Sequence, residues 1–178
     1  MPIRTRRQPL GLALALVLLP TLPAAGAGQG ASPGDGLAVV PLAIHAVQGD
    51  GDVSPVAGSE VEVEGVVTAL TRDGYFLQSL QPDADAATSE GLFVHTGTAP
   101  GPDAARGNHL RVVGVVEEYL PADAPSQLPV TRLQPTAHEV LATGVALPAM
   151  VDIPDAELDP AAGFDALERY EGMRVRLP

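Results

Sequence analysis

No cysteine occurs anywhere in this chain, which excludes disulfides, a cysteine nucleophile and a lipidated N-terminal cysteine. Lysine is absent as well: all ten basic residues are arginines. With the abundance of alanine, glycine and proline, this reflects base composition more than chemistry. Aromatics make up 3% of residues and tryptophan is missing, so most Phe and Tyr side chains are expected to be committed to a core. Asparagine occurs once, at Asn108, and the four histidines (His45, His95, His109, His138) are scattered singly. There is no Gly-x-Ser-x-Gly elbow and no Walker loop. A catalytic constellation is therefore not legible, and each histidine reads as an ordinary surface or half-buried side chain.

What is present begins with an export signature. Arg4, Arg6 and Arg7 precede an apolar run from Leu10 to Leu22, and Ala25-Gly26-Ala27 has the form of a signal-peptidase site. The run is interrupted by Pro20 and is shorter than the ~20 residues of a spanning helix. Residues 1–27 read as a cleaved signal peptide, with no stable membrane anchor and a secreted (extracellular or periplasmic) product. Thr5 to Leu10 leaves the general and twin-arginine routes both open, because Pro9 stands where a bulky apolar residue is usual. Removing the segment leaves seven arginines against 22 acidic residues, a net charge of −15. Such a chain is repelled, on average, by nucleic-acid phosphates. Without disulfides, its core has to come from packing alone.

Residues 28–41 are small, glycine-rich and unpatterned, a flexible lead-in. Strict alternation then starts in "VEVEGVVTAL" (Val61 to Leu70), with Val61 and Val63 on one face and Glu60, Glu62 and Glu64 on the other. "HLRVVGVVEEYL" (His109 to Leu120) repeats the pattern, and each segment carries a glycine, Gly65 or Gly114, at which a long strand bends. Between them lie two short strand candidates, "GYFLQSL" (Gly74 to Leu80) and "GLFVHTG" (Gly91 to Gly97), with Asp73-Gly74 as a tight hairpin turn. A fifth candidate spans Val130 to Ala142, broken by Pro135. Five such strands suit a mainly β, OB-like Greek-key barrel over 42–145; periodicity alone also allows a β-sandwich fragment. A proline-spaced linker (146–163) comes next. A short helix from Phe164 to Tyr170 then leads into a strand from Met173 for which the sequence offers no partner.

Three blocks carry a resemblance: Gln-Gly-x-Gly-x-x-Ser-Pro at Gln48 to Pro55, Ala87-Thr88-Ser89-Glu90-Gly91, and Glu168-Arg169-Tyr170-Glu171-Gly172-Met173. In this order, over roughly 42–178, the chain resembles the N-terminal region of bacterial secreted nucleases of the ExeM/NucH type. In that family an OB-like module of the YhcR kind precedes a β-rich stretch and an endonuclease/exonuclease/phosphatase-fold catalytic domain. The resemblance implies a non-catalytic module that assists nucleic-acid handling or docks on the catalytic domain. It also implies that 164–178 begin a second, truncated module, with a downstream nuclease domain as partner. A rival of another class is a free-standing OB protein that binds a saccharide or a protein.

Two sets of side chains are candidates for a site. Tyr75, Phe76 and Phe93 lie on the central hairpin, where OB barrels stack single-stranded DNA or RNA, and Arg72, Arg111 and Arg132 are the bases expected to flank them. Against this stand the scarcity of aromatics and the acidic charge. "PDADAATSEG" (Pro82 to Gly91) places Asp83, Asp85 and Glu90 in one loop, a weak oxygen site for Ca²⁺ or another divalent cation. It lacks an EF-hand's third acidic position and central glycine, so the same loop also reads as an acidic surface hairpin.

Overall fold

The computed structural model describes residues 39–123, 127–159, 161, 163 and 165–178. The expected signal segment (residues 1–27), most of the lead-in and the expected helix start at Phe164 lie outside the described residues. Eight strands are described: β1 (Val40–Pro41), β2 (Glu60–Leu70), β3 (Gly74–Gln78), β4 (Gly91–His95), β5 (His109–Tyr119), β6 (Val130–Ala142), β7 (Val151–Asp152) and β8 (Val175–Arg176). Two short helices, α1 (Ile44–Gln48) and α2 (Asp165–Glu168), and the single-turn 3₁₀ segments Pro102–Ala104 and Asp155–Glu157 are also found among the described residues.

Strands β2 to β6 close into a barrel. The sheet runs β1-β2-β3-β4-β6-β5, and β2 pairs again with β5. All barrel pairings are antiparallel except β4–β6, where Phe93 lies beside Arg132 and Val94 beside Leu133. This closed five-stranded Greek key is the OB fold, and closure leaves the barrel without a free sheet edge. The alternation in β2 works as read: Val61 and Val63 point inward, almost fully buried, while Glu60 and Glu64 are exposed. The core joins these valines to Leu77, Leu92, Val94, Leu110, Val112, Val116 and Leu133. Each such side chain contributes about 1.5–3 kcal/mol on burial.

Gly114 permits a close approach: a Cβ there would lie 2.4 Å from the Gln134 carbonyl oxygen. Opposite it sits Pro135, and the register shifts there so that Thr136 is the extra residue of a bulge. A residue without an N–H is tolerated at a bulge, so Pro135 bends the fifth barrel strand without breaking it. Gly74 likewise answers a contact, not a turn: its Cβ would fall 2.2 Å from the Val94 carbonyl oxygen.

Two further expectations need revision. The last residues of the lead-in are not unpatterned, since Val40–Pro41 pairs in parallel with Val61–Glu62 and the Leu42 N–H donates to the Glu62 carbonyl. Helix α1, directly after it, buries Ile44 and Val47 against the barrel core. The strand after Met173 also has a partner within the chain. Val175–Arg176 pairs in parallel with Val151–Asp152, inside the stretch read as linker. That stretch is held to the tail by ion pairs of Arg169 with Glu157 and Arg176 with Asp152, and by Arg174 donating to the Pro148 carbonyl.

Candidate functional site

Of the five residues expected to form a nucleic-acid face, the structure brings together Phe93 and Arg132 and places Arg72, Tyr75 and Arg111 elsewhere. Tyr75 points into the barrel and is only 3% exposed; burial pushes its phenol up to about 12. It is a core residue and offers no face to a base, because the strand alternation that turns Phe76 outward turns Tyr75 inward. Arg111 lies on the far side of the barrel among three carboxylates, Glu64 at 2.8 Å, Glu139 at 2.9 Å and Glu62 at 3.4 Å. Phe93 and Arg132 are cross-strand neighbours on the outside of β4 and β6. Arg132 is 9% exposed, pairs with Glu117 at 2.9 Å and stacks 3.9 Å from the Tyr119 ring centroid. Arg72 is exposed in the β2–β3 turn.

What remains outside is a short strip. Phe76 and Phe93 are half-buried with ring centroids 5.0 Å apart, and His95 lies 6.1 Å from Phe93. Gln134 bridges the His95 Nδ1 and the Glu117 carboxylate. The Arg132 pair and that hydrogen bond hold the Glu117 carboxyl below the usual carboxylate range. The aromatic part of the platform therefore exists, but its neighbouring arginine is already neutralised. A phosphate would have to displace Glu117.

Periodicity does not reveal a second site, where the three blocks that carry the resemblance meet. The Gln48 side-chain amide donates to the Gly91 carbonyl at 2.6 Å across 43 residues of sequence. The Ser89 hydroxyl donates to the Glu171 carbonyl at 2.6 Å across 82 residues. Gly91 and Gly172 touch backbone to backbone: a Cβ on Gly91 would lie 2.2 Å from the Gly172 carbonyl carbon, and Gly172 adopts φ +69°. The Arg174 N–H then donates to the buried Gln78 side chain at 3.0 Å. Ser54 fixes the first block to the barrel, its hydroxyl donating to the Val47 carbonyl and its N–H to Glu118.

The three blocks line one cleft, formed by residues 48–52, by Ala87 and Ser89, and by Glu157, Glu168 and Arg169. Next to it, burial and then the Glu168 carboxyl push Glu171 up to about 8. The signals that find this junction are the paired Gly91 and Gly172 and the Gln48 and Ser89 side chains. They lie too far apart in sequence for a periodic pattern to join them.

The acidic loop is only partly assembled as expected. Asp83 and Glu90 come together, but Asp85 turns away, its Oδ1 accepting the Ala87 N–H. The third member is His45 of α1, and one ligand atom from each of His45, Asp83 and Glu90 lies within 4.8 Å of the others. Asp85 belongs to the loop's own turn, because a carboxylate two residues before an amide satisfies it locally.

No helix among the described residues is long and apolar enough to cross a membrane. No protein-family model and no curated protein matches the chain. Solved structures do. An OBody bound to hen egg-white lysozyme is 18% identical, with 59% of this chain covering 99% of that one at a TM-score of 0.38. Entamoeba histolytica asparaginyl-tRNA synthetase in complex with asparaginyl-adenylate is 14% identical, with 75% of this chain covering 31% of that one at a TM-score of 0.40. The asparaginyl-tRNA synthetase of Pyrococcus horikoshii is 19% identical, with coverages of 63% and 25% and a TM-score of 0.32. The OB assignment of this chain stands on its own strand order.

Proposed function

We propose that this chain is a non-catalytic OB module of a secreted, metal-dependent nuclease of the kind it resembles, and that its role is to hold and orient the segment C-terminal to the barrel. The observation that carries this reading is the convergence of the Gln48, Gly91 and Gly172 blocks on one junction. The segment that in the resembling proteins leads into the next module is here anchored on the β3–β4 hairpin through backbone and side-chain hydrogen bonds. Docking is favoured over gripping a strand because Tyr75 is buried and both Arg111 and Arg132 are committed to carboxylates.

Two assays on the purified protein test this. Incubated with DNA or RNA and Mg²⁺ or Ca²⁺, it is expected to release no cleavage products. In a fluorescence-anisotropy titration at low salt, a labelled single strand is expected to show no saturation below high-micromolar protein. Tight, saturable binding that Phe93→Ala abolishes would instead make the hairpin a nucleic-acid platform and overturn the docking role.

A further inference from the structure

We infer that His45, Asp83 and Glu90 form a binding site for a divalent transition-metal ion of the zinc class, tying the helix that caps the barrel to the β3–β4 loop. The inference does not depend on the nuclease reading. His45 Nδ1 lies 3.4 Å from Glu90 Oε1 and 3.7 Å from Asp83 Oδ2. Both distances exceed the ~2.7–2.9 Å of a charge-assisted hydrogen bond. They are instead close to the ~3.4 Å edge of a tetrahedron of nitrogen and oxygen ligands around zinc.

The buried atoms point the same way. Glu90 is only 5% exposed, yet its Oε2 is buried with no hydrogen-bond partner, and so is the His45 Nδ1. A cation held between these groups gives the His45 Nδ1 the partner it lacks, since its contacts to the two carboxylates, at 3.4 and 3.7 Å, are too long for a hydrogen bond. The remaining lone pairs are already oriented. Glu90 Oε1 accepts the Asp83 N–H at 2.6 Å, and Asp83 accepts the Asp85 N–H at 2.9 Å and the Thr88 hydroxyl at 3.2 Å. Such outer contacts fix the ligands before the ion arrives.

The donor set selects the ion. Two carboxylates match a divalent charge, and an imidazole nitrogen favours zinc and its transition-metal neighbours over calcium or magnesium, which prefer oxygen alone. The other histidines each face a single carboxylate: His138 with Asp103, His95 with Asp73 and His109 with Glu64. Among the described residues, only His45 faces two.

The test is calorimetry on the metal-stripped protein, with ZnCl₂ and CaCl₂ titrated separately and melting followed in parallel. One saturable zinc site per chain is expected, with a rise in Tm and no saturable heat from calcium. His45→Ala, a partly exposed position, is expected to weaken zinc binding by at least about a hundredfold, and Glu90→Gln to do the same, while His138→Ala leaves it unchanged. Cobalt(II) in place of zinc is expected to give a visible absorption band that His45→Ala removes. Absence of saturable zinc binding, equal zinc affinity in the His45→Ala protein, or calcium binding as tight as zinc would each overturn the assignment.

Discussion

Replacing Gly91 by alanine is expected to detach the C-terminal segment from the barrel and to cost about 3 kcal/mol or more of stability. A Cβ at this position would meet the Gly172 carbonyl carbon at 2.2 Å, the Met173 nitrogen at 2.4 Å and the Gly172 oxygen at 2.5 Å. All three are backbone atoms, so no side chain can rotate aside. The chain can accommodate the methyl group only by lifting the tail, which breaks the Ser89–Glu171 and Gln78–Arg174 hydrogen bonds. Urea unfolding reads the cost, and hydrogen exchange at the Arg174 amide reads the detachment. Gly101→Ala is the matched control, because its added Cβ meets nothing within 4 Å and the glycine's φ is −70°. If both variants unfold at the same urea concentration and the Arg174 amide stays protected, the docked tail is wrong.

Raising the pH from 5 to 9 is expected to lower the melting temperature, and Glu171→Gln is expected to remove most of that slope. Burial, then the charge and hydrogen bond of Glu168, push the Glu171 carboxyl from 4.5 up to about 8. Thr131 and Gln48, which also face it, act in the opposite direction. In this window the folded chain holds a proton that the unfolded chain has released. Stability from this group is therefore complete below about pH 4.5 and declines as the pH rises, with nothing left above about 8. At about 1.4 kcal/mol per unit the loss is on the order of a few kcal/mol, or about 10 °C in Tm for a domain of this size. The glutamine variant keeps the hydrogen-bonding shape and cannot ionise. A wild-type melting curve that stays flat or rises from pH 5 to 9, relative to Glu171→Gln, would contradict the protonated carboxyl.

Parts of this chain differ widely in how far a single sequence reveals them. The barrel strands can be read because their information is local: alternation in Glu60 to Val63 fixes which face is buried, and Gly114 opposite Pro135 marks the bend. Even there, alternation has to be followed one residue at a time. Tyr75 and Phe76 look equally suited to a stacking platform until the pleat turns one inward and the other outward. The partner of the last strand escapes a pattern search because Val151–Asp152 is only two residues long and lies between prolines, below the length at which a strand pattern emerges. Charge misleads in another way. Arg111 and Arg132 are surface bases by sequence, but their ion partners come from neighbouring strands, and pairing register decides whether a base is free. His45 reads as a single histidine because its carboxylate neighbours arrive from a loop across the barrel end. Spatial convergence of distant residues defines both the metal cluster and the tail junction, and a single sequence records neither.

On the docking reading, the anchored tail orients a domain attached beyond it. The most direct measurement is therefore the reading frame of the gene across and beyond the codon for Pro178. A docking module of a secreted nuclease continues in frame into a domain bearing the asparagine, aspartate and histidine residues that hold a divalent metal and move a proton. A stop codon directly after Pro178 would contradict the nuclease assignment and leave an OB barrel whose junction fastens only its own terminus.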